Sequence, residues 1–92
     1  MTKAELVQKI SDNTGIDRET VLNIVESFML EVKGSLQRGE DVTLRGFGGF
    51  VLKHRATKTA RDISKNTTII VPEHYLPAFK PAKEFTAAVR KN

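Results

Sequence analysis

The chain has 92 residues, 39% of them hydrophobic, a formal net charge of +4 at pH 7 and no cysteine. This length suits one small domain, and the lack of cysteine excludes a disulfide framework and a cysteine-based metal site. The first residues contain no long apolar run, so we expect no signal peptide, no transmembrane helix and a cytoplasmic location.

The first forty residues have the period of helices. Thr2 and Glu5 form the pattern of a capping box, and the apolar residues that follow recur at helical spacing until the Asn-Thr-Gly sequence at 13–15. Asp17 can cap a second, longer helix with a wide apolar face, and Gly39 can end it. Residues 1–40 are therefore predicted to form a helical hairpin.

The hydrophobic period changes from about 3.6 to 2 after residue 40. Val42 and Leu44 alternate with polar residues, and the sequence GFGGF follows at 46–50, which predicts a strand, a glycine turn and a second strand. The glycines are not a dinucleotide fingerprint, because Val51 occupies the last glycine position and a strand follows. They suit a tight turn whose backbone amides can approach a phosphate.

Residues 53–75, here called the arm, are predicted to form a hairpin whose distal half has no core to cover. The sequence RATKTARDISKNTTI at 55–69 is basic, rich in threonine and without a large apolar residue before Ile63. A strand from His54 to Arg61 would reach roughly 25 Å at about 3.3 Å per residue. We therefore expect the arm to project into solvent.

The last segment is predicted to be a helix over residues 81–92. Pro81 suits its first turn, and Phe85, Ala88 and Val89 share one face. Arg90 and Lys91 lie at the helix C-terminus, where cations are favourable.

Charge is unevenly distributed along the chain. Residues 1–40 contain five basic and seven acidic residues, a balance of −2, whereas residues 41–92 contain ten basic and four acidic residues, a balance of +6. This asymmetry favours a polyanion-binding face on a nearly neutral scaffold, and a merely solvated basic surface is the alternative.

The apolar residues exceed what so small a chain can cover by itself. Without the arm about 70 residues remain, which form only a small core. The economical solution is an intertwined homodimer that shares one core, and a loosely packed monomer is the alternative. We expect the dimer core to contain four phenylalanines: Phe28, Phe47, Phe50 and Phe79.

Two basic arms per dimer would be covered by a ligand rather than by the protein, since a two-stranded ribbon can lie in a DNA groove. Arg55, Lys58 and Arg61 recur at every third residue. This spacing does not place them on one face of a flat strand, but a strongly twisted arm could present all three to phosphates.

The sequence resembles the HU/IHF family of bacterial DNA-bending proteins, through GFGGF at 46–50, the basic arm and PAFKPAK at 77–83. The resemblance covers essentially the whole chain. It implies an α+β fold with an N-terminal helical hairpin, a three-stranded antiparallel sheet with a long protruding β-arm, and a C-terminal helix, in an intertwined homodimer. The single domain 1–92 would comprise a helical dimerisation half (1–40), the sheet with its arm (41–80) and the C-terminal helix (81–92).

The resemblance also implies that the arms enter the minor groove of double-stranded DNA while the helical body lies beneath the bent duplex. Gly46 and Gly48 match a turn that approaches phosphate, and Ile63 occupies the position of an apolar wedge that is proline in many members. For Ile63, packing across the arm tip is the alternative. The basic residues expected to contact DNA are Lys3, Arg45, Lys53, Arg55, Lys58, Arg61, Lys65, Lys80 and Lys83.

We therefore predict a sequence-tolerant protein of the bacterial nucleoid that binds and bends DNA, because the arm offers lysine and arginine rather than base-reading amides. A site-specific bender like IHF is one alternative, and a basic module for proteins or anionic surfaces is another. We expect no enzyme activity, cofactor, metal site, membrane or small-molecule substrate, since only His54 and His74 offer imidazoles and no nucleophile or ligand cluster accompanies them. Pairing with a related second chain is left open beside the homodimer.

Overall fold

The computed structural model describes residues 1–62 and 67–90. Two helices, α1 (Lys3–Thr14) and α2 (Arg18–Gln37), precede the strands β1 (Val42–Leu44), β2 (Gly48–Arg55), β3 (Lys58–Asp62), β4 (Thr67–Val71) and β5 (His74–Pro81), and helix α3 (Lys83–Arg90) follows. The backbone forms two compact units, residues 1–35 and residues 36–92. The expected α+β order of elements is confirmed.

The bounds of α1 follow from its caps. Thr2 Oγ1 accepts a hydrogen bond of 3.2 Å from the Glu5 backbone N–H, as the capping-box pattern predicts. At the other end Gly15 has a left-handed backbone with φ of 76°, and its N–H donates to the Ser11 carbonyl at 2.9 Å. A left-handed residue ends a helix while satisfying one of its last carbonyls.

Asp17 caps the beginning of α2, as the sequence predicts. Its Oδ2 accepts from the Thr20 backbone N–H at 3.0 Å, and its Oδ1 accepts from the Thr20 hydroxyl at 2.7 Å. These bonds, first that of the hydroxyl, hold the pKa of the Asp17 carboxyl below its ordinary value. Negative charge is also favourable at a helix N-terminus.

The helical unit covers little of its own apolar surface. Val7 and Val21 are the buried hydrophobic residues in the described part of the chain. On α2, by contrast, Ile24, Phe28 and Leu30 are 57%, 45% and 64% exposed. The apolar face predicted for the long helix is therefore present, and this chain alone leaves much of it uncovered.

The strands form two sheets with one continuous register. β1, β2 and β5 make an antiparallel sheet in the order β1-β2-β5, and β3 and β4 make a separate two-stranded sheet. The β2–β5 pairs end at Arg55 opposite His74, and the β3–β4 pairs begin at Lys58 opposite Val71. Two residues are skipped on each strand, so the arm is one ribbon with an interruption. The expected sheet and arm are confirmed.

The interruption corrects the uninterrupted strand predicted from His54 to Arg61. By register, Thr57 faces Pro72, which has no backbone N–H to donate. The ladder therefore stops after Arg55 and resumes at Lys58.

The prediction that Pro81 lies in the first turn of the last helix is wrong. Pro81 is the last residue of β5 and pairs with Gly48. The helix is positioned instead by Ala82, whose N–H donates to the Phe47 carbonyl at 2.9 Å and whose carbonyl accepts from the Thr86 N–H at 2.9 Å. Within the described residues, no helix combines the length and the apolarity that crossing a membrane requires.

Replacing Asp17 by Ala should lower the thermal midpoint of unfolding at neutral pH, because the Thr20 N–H loses its partner. The folded pKa of Asp17 is depressed, so its contribution is complete above the unfolded pKa of about 3.9 and is lost as pH falls through the folded value. The difference between parent and variant, measured by circular dichroism, should therefore shrink below about pH 4.

Asp17→Asn is the matched control, because asparagine keeps a capping oxygen but has no charge. It should retain most of the stability at neutral pH and lose the acid dependence that Asp17 contributes. An Asp17→Ala protein as stable as the parent at neutral pH would contradict the role of this cap.

Candidate nucleic-acid interface

The outer part of the arm is a two-stranded ribbon with little of its own to pack against. In the described residues β3 and β4 pair with each other and with no third strand. On β4, Ile69 and Ile70 are 46% and 70% exposed. Isolated two-stranded ribbons are marginally stable in water, so an exposed ribbon with this composition is suited to being covered by a binding partner.

Side-chain hydrogen bonds connect the two strands of the arm where the backbone ladder is interrupted. The Glu73 backbone N–H donates to Thr57 Oγ1 at 3.0 Å, which replaces a strand-to-strand bond. His54 Nε2–H donates to Glu73 Oε2 at 3.0 Å. The His54 ring also lies against Tyr75, with ring centroids 5.3 Å apart. Both strands therefore stay joined across the interruption.

The interruption creates a basic hollow at the base of the arm, here called the arm-base hollow. Its volume is about 670 Å³, and it is bordered by Arg55, Ala56, Thr57, Lys58, His74 and Leu76. Strict alternation along one strand would place Arg55 and Lys58 on opposite faces. Both nevertheless border the same hollow, which lies where the ladder is interrupted. The presentation of Arg55, Lys58 and Arg61 together to phosphates stays a prediction.

Lys53 and Arg55 lie two residues apart near the end of β2, and both are exposed. Side chains two residues apart on a strand point to the same face. Lys53 is opposite Leu76 and Arg55 is opposite His74 in β5. This face of the arm base therefore has two permanently charged side chains, Lys53 and Arg55, and the imidazole of His74.

The glycine turn between β1 and β2 uses its glycines for two different physical reasons. Gly46 has φ of 80°, and a Cβ there would meet nothing within 4 Å, so its backbone conformation requires glycine. At Gly48 a Cβ would lie 2.6 Å from both the Lys80 carbonyl oxygen and the Phe79 ring. Gly48 is therefore needed for packing, and its approach to a phosphate stays a prediction.

A second basic region surrounds the start of α3. Arg45 is exposed in the turn that also contains Phe47, and the Phe47 carbonyl holds Ala82 immediately before α3. Lys80 lies in β5 opposite Gly49, and Lys83 is the first residue of α3; both are exposed. The structure thus joins the turn to the segment that bears the last two predicted contacts.

Lys83 and Arg90 border one open hollow along α3, with Pro81, Thr86 and Ala87. The residues predicted to contact DNA do not include Arg90. A spacing of seven residues places two side chains on the same helix face, and this signal could have added Arg90 to the set.

Lys3 lies at the start of α1 and is paired within the helical unit. Its Nζ donates to Glu26 Oε1, and both side chains remain about half exposed. A surface pair of this kind contributes little to stability. Breaking this pair would therefore cost little, and the contact of Lys3 with DNA stays a prediction.

The remaining predicted contacts lie further out on the arm. Arg61 is in β3 opposite Thr68. Ile63 and Lys65 lie outside the described residues, so their expected roles stay predictions. In the described part of the chain, no group of three or more histidine, aspartate or glutamate residues could hold a metal ion.

Three of the four predicted dimer-core phenylalanines meet in one aromatic cluster. The Phe79 ring centroid lies 5.1 Å from that of Phe47 and 5.2 Å from that of Phe50, and Phe85 stacks on Phe47 at 5.3 Å. Phe47 is nevertheless 47% exposed and Phe79 37%. Aromatic rings this exposed leave apolar area for a further partner surface.

A helical hairpin, a three-stranded sheet and an exposed basic β-ribbon together define a small architectural DNA-binding fold. The sequence pattern of the family described as bacterial DNA-binding protein matches residues 1–90. The chain therefore belongs to this family, the HU/IHF family of DNA-binding architectural proteins.

Individual relatives agree with this assignment. The chain is 31% identical over 91 residues to integration host factor subunit alpha of Haemophilus influenzae, covering 99% of this chain and 95% of the relative. It is 38% identical over 90 residues to the beta subunit of Marinobacter nauticus, covering 97% and 92%. The structure matches that of HU from Anabaena in a cocrystal with DNA, with a TM-score of 0.94, 25% identity and full coverage of both chains.

Proposed function

We propose that this protein binds and bends double-stranded DNA with little preference for sequence, using its arms to grip the minor groove. The observation that carries the proposal is the exposed β3–β4 ribbon, whose base has Arg55 and Lys58 on one hollow. A two-stranded ribbon fits a DNA groove, and its cations neutralise phosphates along the strand. The solved HU relative that matches this chain in full was crystallised with DNA.

Tolerance of sequence is supported by the chemistry of the proposed contacts. They are lysine and arginine side chains and turn glycines, which bind phosphates and carry no sequence information directly. The minor groove itself mainly distinguishes A·T from G·C pairs. Binding with these groups would be strong on any duplex that bends readily, which suits a location on the bacterial nucleoid.

A site-specific bender is the second candidate, because the relatives from Haemophilus influenzae and Marinobacter nauticus are subunits of integration host factor. Such a protein reads sequence-dependent deformability rather than base edges alone. The two candidates differ in how strongly affinity varies among unrelated duplexes of equal length.

We further propose that the protein works as a homodimer in which Phe28, Phe47, Phe50 and Phe79 contribute to one shared core. The exposed rings of Phe47 and Phe79 and the exposed face of α2 support this assembly. The names of the relatives as alpha and beta subunits keep pairing with a related chain as the alternative.

In sedimentation, the protein should be a dimer at micromolar concentration, with a stability that depends on protein concentration. Phe79→Ala should destabilise the assembly by roughly 3–5 kcal/mol, because it removes a large ring from the proposed core. Ile70→Ala is the control, since Ile70 is 70% exposed on the arm. A folded, stable monomer at this concentration would end the dimer proposal.

DNA affinity should fall linearly with salt on logarithmic axes, with a slope of about −0.9 for each phosphate that the protein neutralises. Arg55→Ala and Lys83→Ala should each weaken binding to unrelated duplexes alike. Each should also make the slope shallower by roughly one for each protomer that engages the DNA, because one phosphate per protomer is no longer neutralised. Fluorescence anisotropy at several salt concentrations measures both the affinity and the slope.

The control for this titration is Lys33→Ala, which removes one exposed lysine on α2 that is outside the proposed interface. It should leave the slope nearly unchanged. A slope that is the same in Arg55→Ala, Lys83→Ala and the parent would remove both residues from the interface. A strong decrease in affinity for one duplex alone would favour the site-specific candidate.

Ile63 is proposed to act as the wedge that opens a base step, since it occupies the wedge position of the family. Ile63→Ala should reduce the bend, measured by resonance energy transfer between duplex ends, more than it reduces affinity. Ile69→Ala, another apolar truncation on the arm, is the control. Equal bending by the parent and Ile63→Ala would show that the arm only grips.

A substitution of Asp62, the residue before Ile63, complements the test of the wedge. A negative side chain near the DNA backbone is repelled, so Asp62→Asn should tighten binding, most clearly at low salt where screening is weakest. Binding that is unchanged at low salt would place Asp62 away from the phosphates.

A further inference from the structure

The arm-base hollow contains a titratable group that the proposed DNA contacts do not include. His74 begins β5 directly opposite Arg55, and both border the hollow together with Lys58. Directly opposed residues of antiparallel strands share a face. The imidazole is therefore presented on the same side as the Arg55 guanidinium, and Lys58 borders the same hollow.

The orientation of the His74 ring is fixed by the interruption of the arm. Its Nδ1 lies 3.0 Å from the Pro72 carbonyl oxygen. A carbonyl oxygen can only accept, so the Nδ1–H donates this bond. In the neutral ring the single proton is then at Nδ1, and Nε2 has a lone pair and no hydrogen.

This assignment decides what His74 can bind. A neutral ring held in this way offers Nε2 only as an acceptor, and it repels the oxygens of a phosphodiester. Protonation adds an N–H at Nε2 without breaking the bond to Pro72, because both ring nitrogens of the imidazolium are donors. The ring then offers a charge-assisted bond beside the Arg55 guanidinium.

We propose that His74 is a proton-dependent DNA contact, which binds a backbone phosphate together with Arg55 and takes up one proton when it does so. This inference rests on the proposed function, since the phosphate is that of the bound duplex. Histidine is the side chain whose ordinary titration falls between about pH 5 and pH 8. DNA affinity should therefore rise as pH falls through this range.

The other groups around the hollow do not duplicate this response. Arg55 and Lys58 are charged throughout the range, and Glu73 is bonded to His54. His54 is the second histidine, but its Nε2–H donates to Glu73 in either charge state. Its register partner is Tyr75, so it faces the side opposite to that of His74.

The experiment measures the affinity of the intact protein for one duplex between about pH 5.5 and pH 8 at constant ionic strength. The parent should bind roughly tenfold or more tightly at the acid end, because one proton is linked to each engaged arm. Calorimetry in buffers of different ionisation enthalpy should show net proton uptake on binding.

Three variants locate the effect. His74→Gln should flatten the pH dependence and abolish the proton uptake, whereas His74→Lys should bind tightly with little pH dependence because its charge is permanent. His54→Gln is the matched control and should keep the proton uptake of the parent. Circular dichroism at each pH checks that every variant is folded.

The inference would be overturned by a parent that binds DNA without taking up protons, or by a pH dependence that survives in both His74 variants. Loss of the effect in His54→Gln with its retention in His74→Gln would assign the proton to the other histidine and overturn it too. A parent that binds no duplex at any pH would instead refute the proposed function, so the two failures are distinguishable.

Discussion

The constraint on which the structure depends is that the chain has more surface to cover than it has core. Val7 and Val21 are its buried hydrophobic residues in the described ranges, while large apolar groups on α2 and in the aromatic cluster remain exposed. Burial of apolar area is the dominant favourable contribution to folding, so these faces need a second surface. The arm is also left uncovered by the chain, but its exposed ribbon is basic. The uncovered apolar faces support the proposed dimer, and the uncovered ribbon supports the proposed binding of DNA.

Within the arm, one missing backbone donor has several consequences. Pro72 cannot bond across the ribbon, and the strands separate into β2–β5 and β3–β4 without a change of register. Thr57 and Glu73 close the gap with a side-chain bond. The released Pro72 carbonyl takes the Nδ1–H of His74. At the interruption, the bond between Thr57 and Glu73 keeps the strands joined, the arm-base hollow opens, and the Pro72 carbonyl sets the tautomer of His74.

Much of this fold is accessible from local sequence patterns. The capping box at Thr2, the cap at Asp17 and the change of period after residue 40 are interactions within a few residues, so the pattern contains the partners. The interruption of the arm cannot be predicted from a local pattern, because that requires knowing that Thr57 faces Pro72, fifteen positions later in the chain. The role of His74 could not be predicted from the sequence for the same reason, since its position opposite Arg55 depends on the register of the whole hairpin. Pro81 has a local preference for the first turn of a helix, but its pairing with a glycine of β2 prevails.

The charges of the proposed interface divide into a permanent and a conditional part. Arg55, Lys58 and Lys83 remain cationic at all physiological pH values, so their contribution varies with salt alone. The charge of His74 exists only when the ring is protonated, and binding to phosphate favours that form. Salt screens both parts, whereas pH acts on the imidazole alone within the neutral range. A contact placed at the base of the arm, where the ribbon leaves the three-stranded sheet, would therefore tune how firmly the arm is held without altering the cations that attract it to DNA.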